Sequence, residues 1–107
     1  MAFTGKSLAE GQVANAWGTI LGPSGVKAIL KSVDLFNNNA ASQTVELAIT
    51  RSGGTRRIIG RAVLEQHETL RYLTEGETLV LSDGDVLEAQ TTTASAVDYT
   101  ITGADEA

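Results

Sequence analysis

Apolar and polar residues alternate along most of this chain. From Gln12 to Thr102 the dominant period is two, the spacing of strands with one buried and one exposed face. Thr44–Arg51 is the cleanest case: Val45, Leu47 and Ile49 point one way, and Thr44, Glu46, Ala48 and Thr50 the other. A strand is predicted from Val13 to Leu21, with Val13, Trp17 and Ile20 as its candidate buried positions and Trp17 read as core. Another is predicted from Val26 to Phe36. There the alternation begins as Val26, Ala28, Leu30 and resumes as Val33, Leu35, so the phase slips near Lys31-Ser32, the mark of a β-bulge. Further strands are expected over Arg56–Glu65, Thr69–Leu73, Thr78–Leu81 and Val86–Thr91. In the last one Val97, Tyr99 and Ile101 alternate with Asp98, Thr100 and Thr102.

Turn chemistry separates these runs. Gly22-Pro23-Ser24-Gly25, Ser52-Gly53-Gly54-Thr55 and Thr74-Glu75-Gly76-Glu77 are turn sequences, and Asn37 to Ser42 reads as a loop. Asp83-Gly84 predicts a two-residue type I′ hairpin, which needs positive φ at both positions. The one helical alternative is Ala62–Leu73, rich in Leu, Glu and Arg. About eight short antiparallel strands predict an all-β fold, a two-sheet jelly-roll-like sandwich. Residues 1–11, polar and punctuated by Gly5 and Gly11, read as an extended N-terminal arm. Residues 12–103 form the sandwich domain and 104–107 a tail. No internal repeat or linker divides the chain.

Composition narrows the function classes. The chain has 107 residues, which is one domain's length. Hydrophobic residues make up 42%, enough for a core, while aromatics at 5% leave its volume to Val, Ile, Leu and Ala. A chain this short buries only about two-thirds of its unfolded surface, so association with a partner would add stability. With no cysteine, it has no disulfide, thiolate metal site or thiol nucleophile. A net charge of −5 argues against a nucleic-acid partner. The N-terminus has no apolar stretch suited to a signal peptide, and nothing nears the roughly 20 apolar residues of a membrane span. The expectation is a soluble protein made inside the cell, with no membrane and no cofactor.

Motifs that carry chemistry are sparse. Asp83-Gly84-Asp85 resembles part of a calcium loop but lacks the acidic ligands that complete one. His67, between Gln66 and Glu68, is the only histidine, which leaves a serine nucleophile without a choice of base and rules out multi-histidine metal sites. Neither a Gly-x-Ser-x-Gly elbow nor a phosphate-binding glycine loop occurs. The chain is therefore read as not an enzyme. Charge is uneven. Arg51, Arg56, Arg57 and Arg61 surround one predicted hairpin, while no Lys or Arg follows Arg71 and eight acids do. A basic middle and an acidic end suit docking against a complementary surface.

Three stretches carry a resemblance. They are the turn and strand from Pro23 to Asn37, the segment Gly76 to Leu81, and Ser82 to Gln90 followed by Ala94 to Gly103. Their order, spanning about Gln12 to Gly103, resembles small virion proteins of tailed bacteriophages and prophages. The resemblance implies a β-sandwich assembled on a virion, commonly as a homotrimer, with no catalytic residues. On that basis the expected function is a capsid decoration, or cement, protein on the virion surface, with the major capsid protein as partner. Phe3 and Lys6 of the arm and Arg51, Arg56, Arg57 and Arg61 of the hairpin are the candidate contacts. Deleting residues 2–11 is expected to weaken capsid binding and leave the sandwich folded. Two alternatives remain: a neck, tail or fibre component in host recognition, and a carbohydrate-binding module using exposed Trp17 with Tyr72 or Tyr99.

Overall fold

In the computed structural model, residues 4–23, 25–73 and 76–106 are described, with side chains from Ser7 to Asp105. Nine strands occur among them: β1 (Thr4–Gln12), β2 (Gly18–Leu21), β3 (Lys27–Asn37), β4 (Gln43–Thr50), β5 (Arg57–Leu64), β6 (Thr69–Arg71), β7 (Leu79–Leu81), β8 (Val86–Thr91) and β9 (Val97–Glu106). There is no helix among the described residues, so the Ala62–Leu73 alternative is not adopted. All strand pairs are antiparallel and lie in two sheets. The first sheet runs β1-β9-β3, with β6 and β7 both on the far side of β3. The second runs β2-β8-β4-β5.

β6 pairs with Asp34–Phe36 and β7 with Ala28–Leu30, so together they act as one interrupted edge strand along β3. Counted that way, the chain changes sheet at every connection except β4 to β5. That alternation is the strand order of a jelly roll, two Greek keys wrapped into a sandwich. The architecture agrees with the sequence expectation.

Inward side chains of both sheets form one core. Leu30, Val33 and Leu35 of β3 meet Val45, Leu47 and Ile49 of β4, with Leu81, Leu87, Val97 and Ile101 around them. The predicted phase slip is present: the β3–β9 register shifts between Leu30 and Ser32, which keeps Leu30 and Val33 on the same side despite their odd spacing.

Four local expectations are corrected. Residues 13–17 are not strand; β2 begins only at Gly18. Here the chain crosses between sheets. Val13 N donates to Val97 O of the first sheet, while Ala14 O accepts from Thr91 N of the second. The apolar spacing Val13, Trp17, Ile20 does not have period two, which was the sequence signal for this crossing.

The polar segment read as an extended N-terminal arm is, over residues 4–12, the edge strand β1, paired with β9 from Thr4↔Asp105 to Gln12↔Asp98. Its inward contribution is small, Leu8 and Ala9 against the core, so its alternation was faint. A deletion of residues 2–11 would therefore strip an edge strand from β9 and not leave the sandwich intact. Residues 104–106 of the expected tail belong to β9 for the same reason.

The turn Ser82–Asp85 is not type I′. Asp85 N donates to Ser82 O, and of the two central residues only Gly84 has positive φ, at 87°. That is the pattern of a type II turn.

Candidate functional site

The outward face of the second sheet carries Arg61 and is crossed by Arg56, with Trp17 beside it. Because cross-strand partners share a face, its rows follow from the register. One row crosses Val63 and Thr44 towards Thr92. The next crosses Arg61, Glu46 and Gln90, and the one after crosses Ile58, Ala48, Glu88 and Thr19.

The middle of the third row, Ala48 and Glu88, is covered by a strap. Arg56, just before β5, reaches over β4 to Glu88 on β8: Nε lies 3.2 Å from Oε1 and Nη2 3.1 Å from Oε2, a two-pronged pair. Thr50 Oγ1 donates to the same carboxylate at 2.7 Å. The guanidinium carbon also sits 5.0 Å from the centroid of the Trp17 ring, in cation–π geometry. The strap explains why Ala48 and Glu88 are buried although they point away from the core. A small residue at position 48 leaves room for the arginine to pass. It also corrects the reading of Trp17: the ring is half-buried outside the core, on the crossover before β2, with Arg56 over it. Arg56→Ala is expected to red-shift and change the intensity of the lone tryptophan's fluorescence while far-UV circular dichroism stays the same. An unchanged emission spectrum would contradict the stacked pair.

The four arginines separate into two kinds. Arg51 Nη1 donates to Asp85 Oδ2 at 2.9 Å and to Val80 O at 2.8 Å. Arg56 is held by Glu88. Arg61 is 70% exposed and stands 4.0 Å from Glu46, while Arg57 has no hydrogen-bond or ion-pair partner among the described residues. The separation of a basic middle from an acidic end therefore partly collapses on folding. Pairing of β4 with β8 brings the 51–56 hairpin onto Asp85 and Glu88, and two of the four charges are met internally. Ile58 and Val63, 58% and 60% exposed, stand on the same outward face of β5 as Arg61, while Arg57 pairs with Ile49 on the other face. Phe3 and the side chain of Lys6, the other expected contacts, lie outside the described residues.

The carboxylates of Asp83 and Asp85 serve the backbone. Asp85, buried, accepts from Ser52 N and Ser82 N, both at 2.9 Å, and from Arg51; Asp83 Oδ1 accepts from Gly25 N at 2.9 Å. These bonds tie three turns together at one end of the sandwich. The two backbone amides and then the Arg51 guanidinium hold the Asp85 carboxyl below its usual range. Arg56 and then Thr50 do the same for Glu88. Depressed carboxylates contribute stability above their unfolded values, about 3.9 for Asp and 4.3 for Glu, which is lost as pH falls through the lower folded values. Asp85→Asn is expected to be less stable than the parent at neutral pH, with the gap closing below about pH 4. A gap independent of pH in denaturant titrations would refute this linkage.

The remaining sequence candidates stand apart. His67 is exposed, has φ of 64°, and stacks on Phe36 with ring centroids 5.9 Å apart. Tyr72 and Tyr99 are half-buried: Tyr72 Oη donates to Ile59 O, and the Tyr99 ring lies over Gly11. With Trp17 under Arg56, the three aromatics form no common open platform. Among the described residues no three His, Asp or Glu side chains are grouped to hold a metal ion.

One feature of this face was not foreseen. Asn15, Thr44, Glu46, Gln90, Thr91 and Thr92 line an open polar hollow of about 260 Å³ on the first two rows. Thr44 and Glu46 were legible as outward positions of β4. Their meeting with Asn15 and Gln90 depends on strands distant in the chain. A comparison of the sequence with family models and with curated proteins finds no match to either.

Proposed function

We propose that this chain is a structural virion protein, a capsid decoration protein that clamps the shell of a tailed bacteriophage as part of a homo-oligomer, a trimer. The observation that carries the reading is the exposed side of β5. Arg61, 70% exposed and only loosely paired with Glu46 at 4.0 Å, stands between two strongly exposed aliphatic residues, Ile58 and Val63, on a protein of net charge −5. Apolar anchors with a guanidinium group between them are the composition of a protein-binding patch, and the charge selects an acidic area of the major capsid protein. Arg61 takes the leading role here, with Arg57 at the neighbouring end of the same edge strand, because Arg51 and Arg56 are engaged within the chain. Residues 4–12 contribute as a sheet edge and not as a loose arm.

The test is occupancy on purified shells. Arg57→Glu with Arg61→Glu is expected to lower occupancy at least tenfold and leave the melting temperature nearly unchanged, since surface substitutions of this kind cost little. Binding by the parent chain is expected to weaken with added salt. Parental occupancy in the double variant would overturn the reading. A copy number in the hundreds per particle is expected; three, six or twelve copies would place the protein at the neck or tail instead.

A further inference from the structure

The polar hollow lies beside the proposed docking strand, whose Arg61 and Val63 stand at its rim. Its lining offers hydrogen-bonding groups that the fold leaves open. Glu46 Oε1 accepts from Gln90 Nε2 at 2.7 Å, but Oε2 has only the Arg61 Nε at 4.0 Å, beyond hydrogen-bond reach. The carbonyl of the Gln90 amide, the Asn15 side chain and the Thr44 hydroxyl have no partner among the described residues. Thr92 Oγ1 accepts from Thr44 N, which fixes the floor between β4 and β8. Thr91 is turned to the buried Gln43. Donors and acceptors are thus both present, and most are mounted on paired strands that hold them in place.

The chemistry of the lining selects among ligand classes. An anion would meet the Glu46 carboxylate. A metal ion would find one carboxylate where several are needed. A strongly basic group would meet Arg61 at the rim. An apolar ligand would strand the open polar groups without hydrogen bonds. A hydroxyl both donates and accepts, and neighbouring hydroxyls on a ring can share one carboxylate. Val63, in the adjacent row and 60% exposed, supplies an aliphatic surface for the C–H edge of such a ring. The volume is below the roughly 300–1,000 Å³ of pockets for drug-sized ligands, which leaves room for one small unit.

We infer that the hollow binds a single neutral sugar residue, with Glu46 accepting from its hydroxyls and Asn15, Gln90 and Thr44 completing the set. With Trp17 covered by Arg56, no aromatic face stacks on the ring, so the dissociation constant is on the order of millimolar.

The test uses the isolated full chain and is independent of shell binding. Its ¹H–¹⁵N spectrum is titrated separately with methyl α-D-glucopyranoside, methyl β-D-galactopyranoside and N-acetylglucosamine. At least one is expected to give saturable shifts confined to the amides of Asn15, Thr44 to Glu46 and Gln90 to Thr92. Glu46→Ala is expected to weaken that sugar at least tenfold, and Thr100→Ala, on the other sheet, to leave it unchanged. Both positions face away from the core, so the variants keep the fold. No saturable shift with any of the three at up to about 100 mM, a hundredfold above a millimolar constant, would overturn the inference. So would shifts that Glu46→Ala leaves unaltered.

Discussion

Gly103→Ala is expected to lower the melting temperature by roughly 12 °C or more, equivalent to about 3 kcal/mol in a domain of this size. Gly103 pairs with Leu30 where the β3–β9 register shifts. A Cβ at this position would fall inside contact distance of the Ile29 carbonyl oxygen and 3.0 Å from Leu30 Cα. Both obstacles are backbone, so no side chain can swing away. Relief requires β3 and β9 to separate at the bulge, in the middle of the first sheet. Gly18→Ala is the control: its Cβ would meet only ordinary contacts, at 3.8 and 4.0 Å, and a change within about 1 kcal/mol is expected. Calorimetry of the pair checks the claim. Equal melting temperatures for the two variants would show that the close approach of β3 and β9 is not tight.

Asn37→Asp is expected to cost at least 3 to 5 kcal/mol at neutral pH, about the penalty for a buried charge without a partner. Asn37 is completely buried. Its Nδ2 faces three carbonyl oxygens, of Ala41 at 3.0 Å, Leu64 at 2.9 Å and Glu65 at 3.1 Å, and its Oδ1 accepts from Asn39 N at 2.9 Å. The main chain adds bonds from Asn37 N to Glu68 O and from His67 N to Asn37 O. One amide thus joins the end of β3, the 38–42 loop, the end of β5 and the 65–68 turn. The variant side chain has nearly the same shape, but it turns an oxygen towards the three carbonyls. Burial against those dipoles raises the pKa of the new carboxyl above its unfolded value. The penalty relative to the parent is therefore smallest below the unfolded value, near pH 4, and grows as pH rises. Urea titrations of both proteins at several pH values measure it. A penalty that stays constant with pH would exclude the carbonyl cage as its cause.

These two positions show what a linear reading can and cannot find. The bulge in β3 was visible as a slip from Leu30 to Val33, because a one-residue insertion changes the phase of the same strand. The need for Gly103 opposite it was not visible. That need belongs to a contact between residues about 70 positions apart. Asn37 looked like the start of a loop, since Asn favours turns, yet it is a buried cross-link between several segments. Trp17 looked like core because large apolar residues usually are. Its actual neighbour is Arg56, placed there by the pairing of β5 with β4 and of β4 with β8.

The outward face of the second sheet follows the same division. Its outward polar positions on β4 were read correctly from alternation. The strap, the split among the arginines and the hollow depended on which strands became neighbours. The sequence alone determined the all-β class, the two-sheet sandwich, the main inward positions and the strand bulge, because these follow from period two and local turn chemistry. Only the tertiary structure decided that residues 4–12 are an edge strand, that Arg51 and Arg56 are met by Asp85 and Glu88, and that Asn15, Thr44, Glu46 and Gln90 share one surface. The physical reason is that register and strand order are set by pairing across the whole chain. Alternation within a strand says which side a residue faces but not what stands beside it.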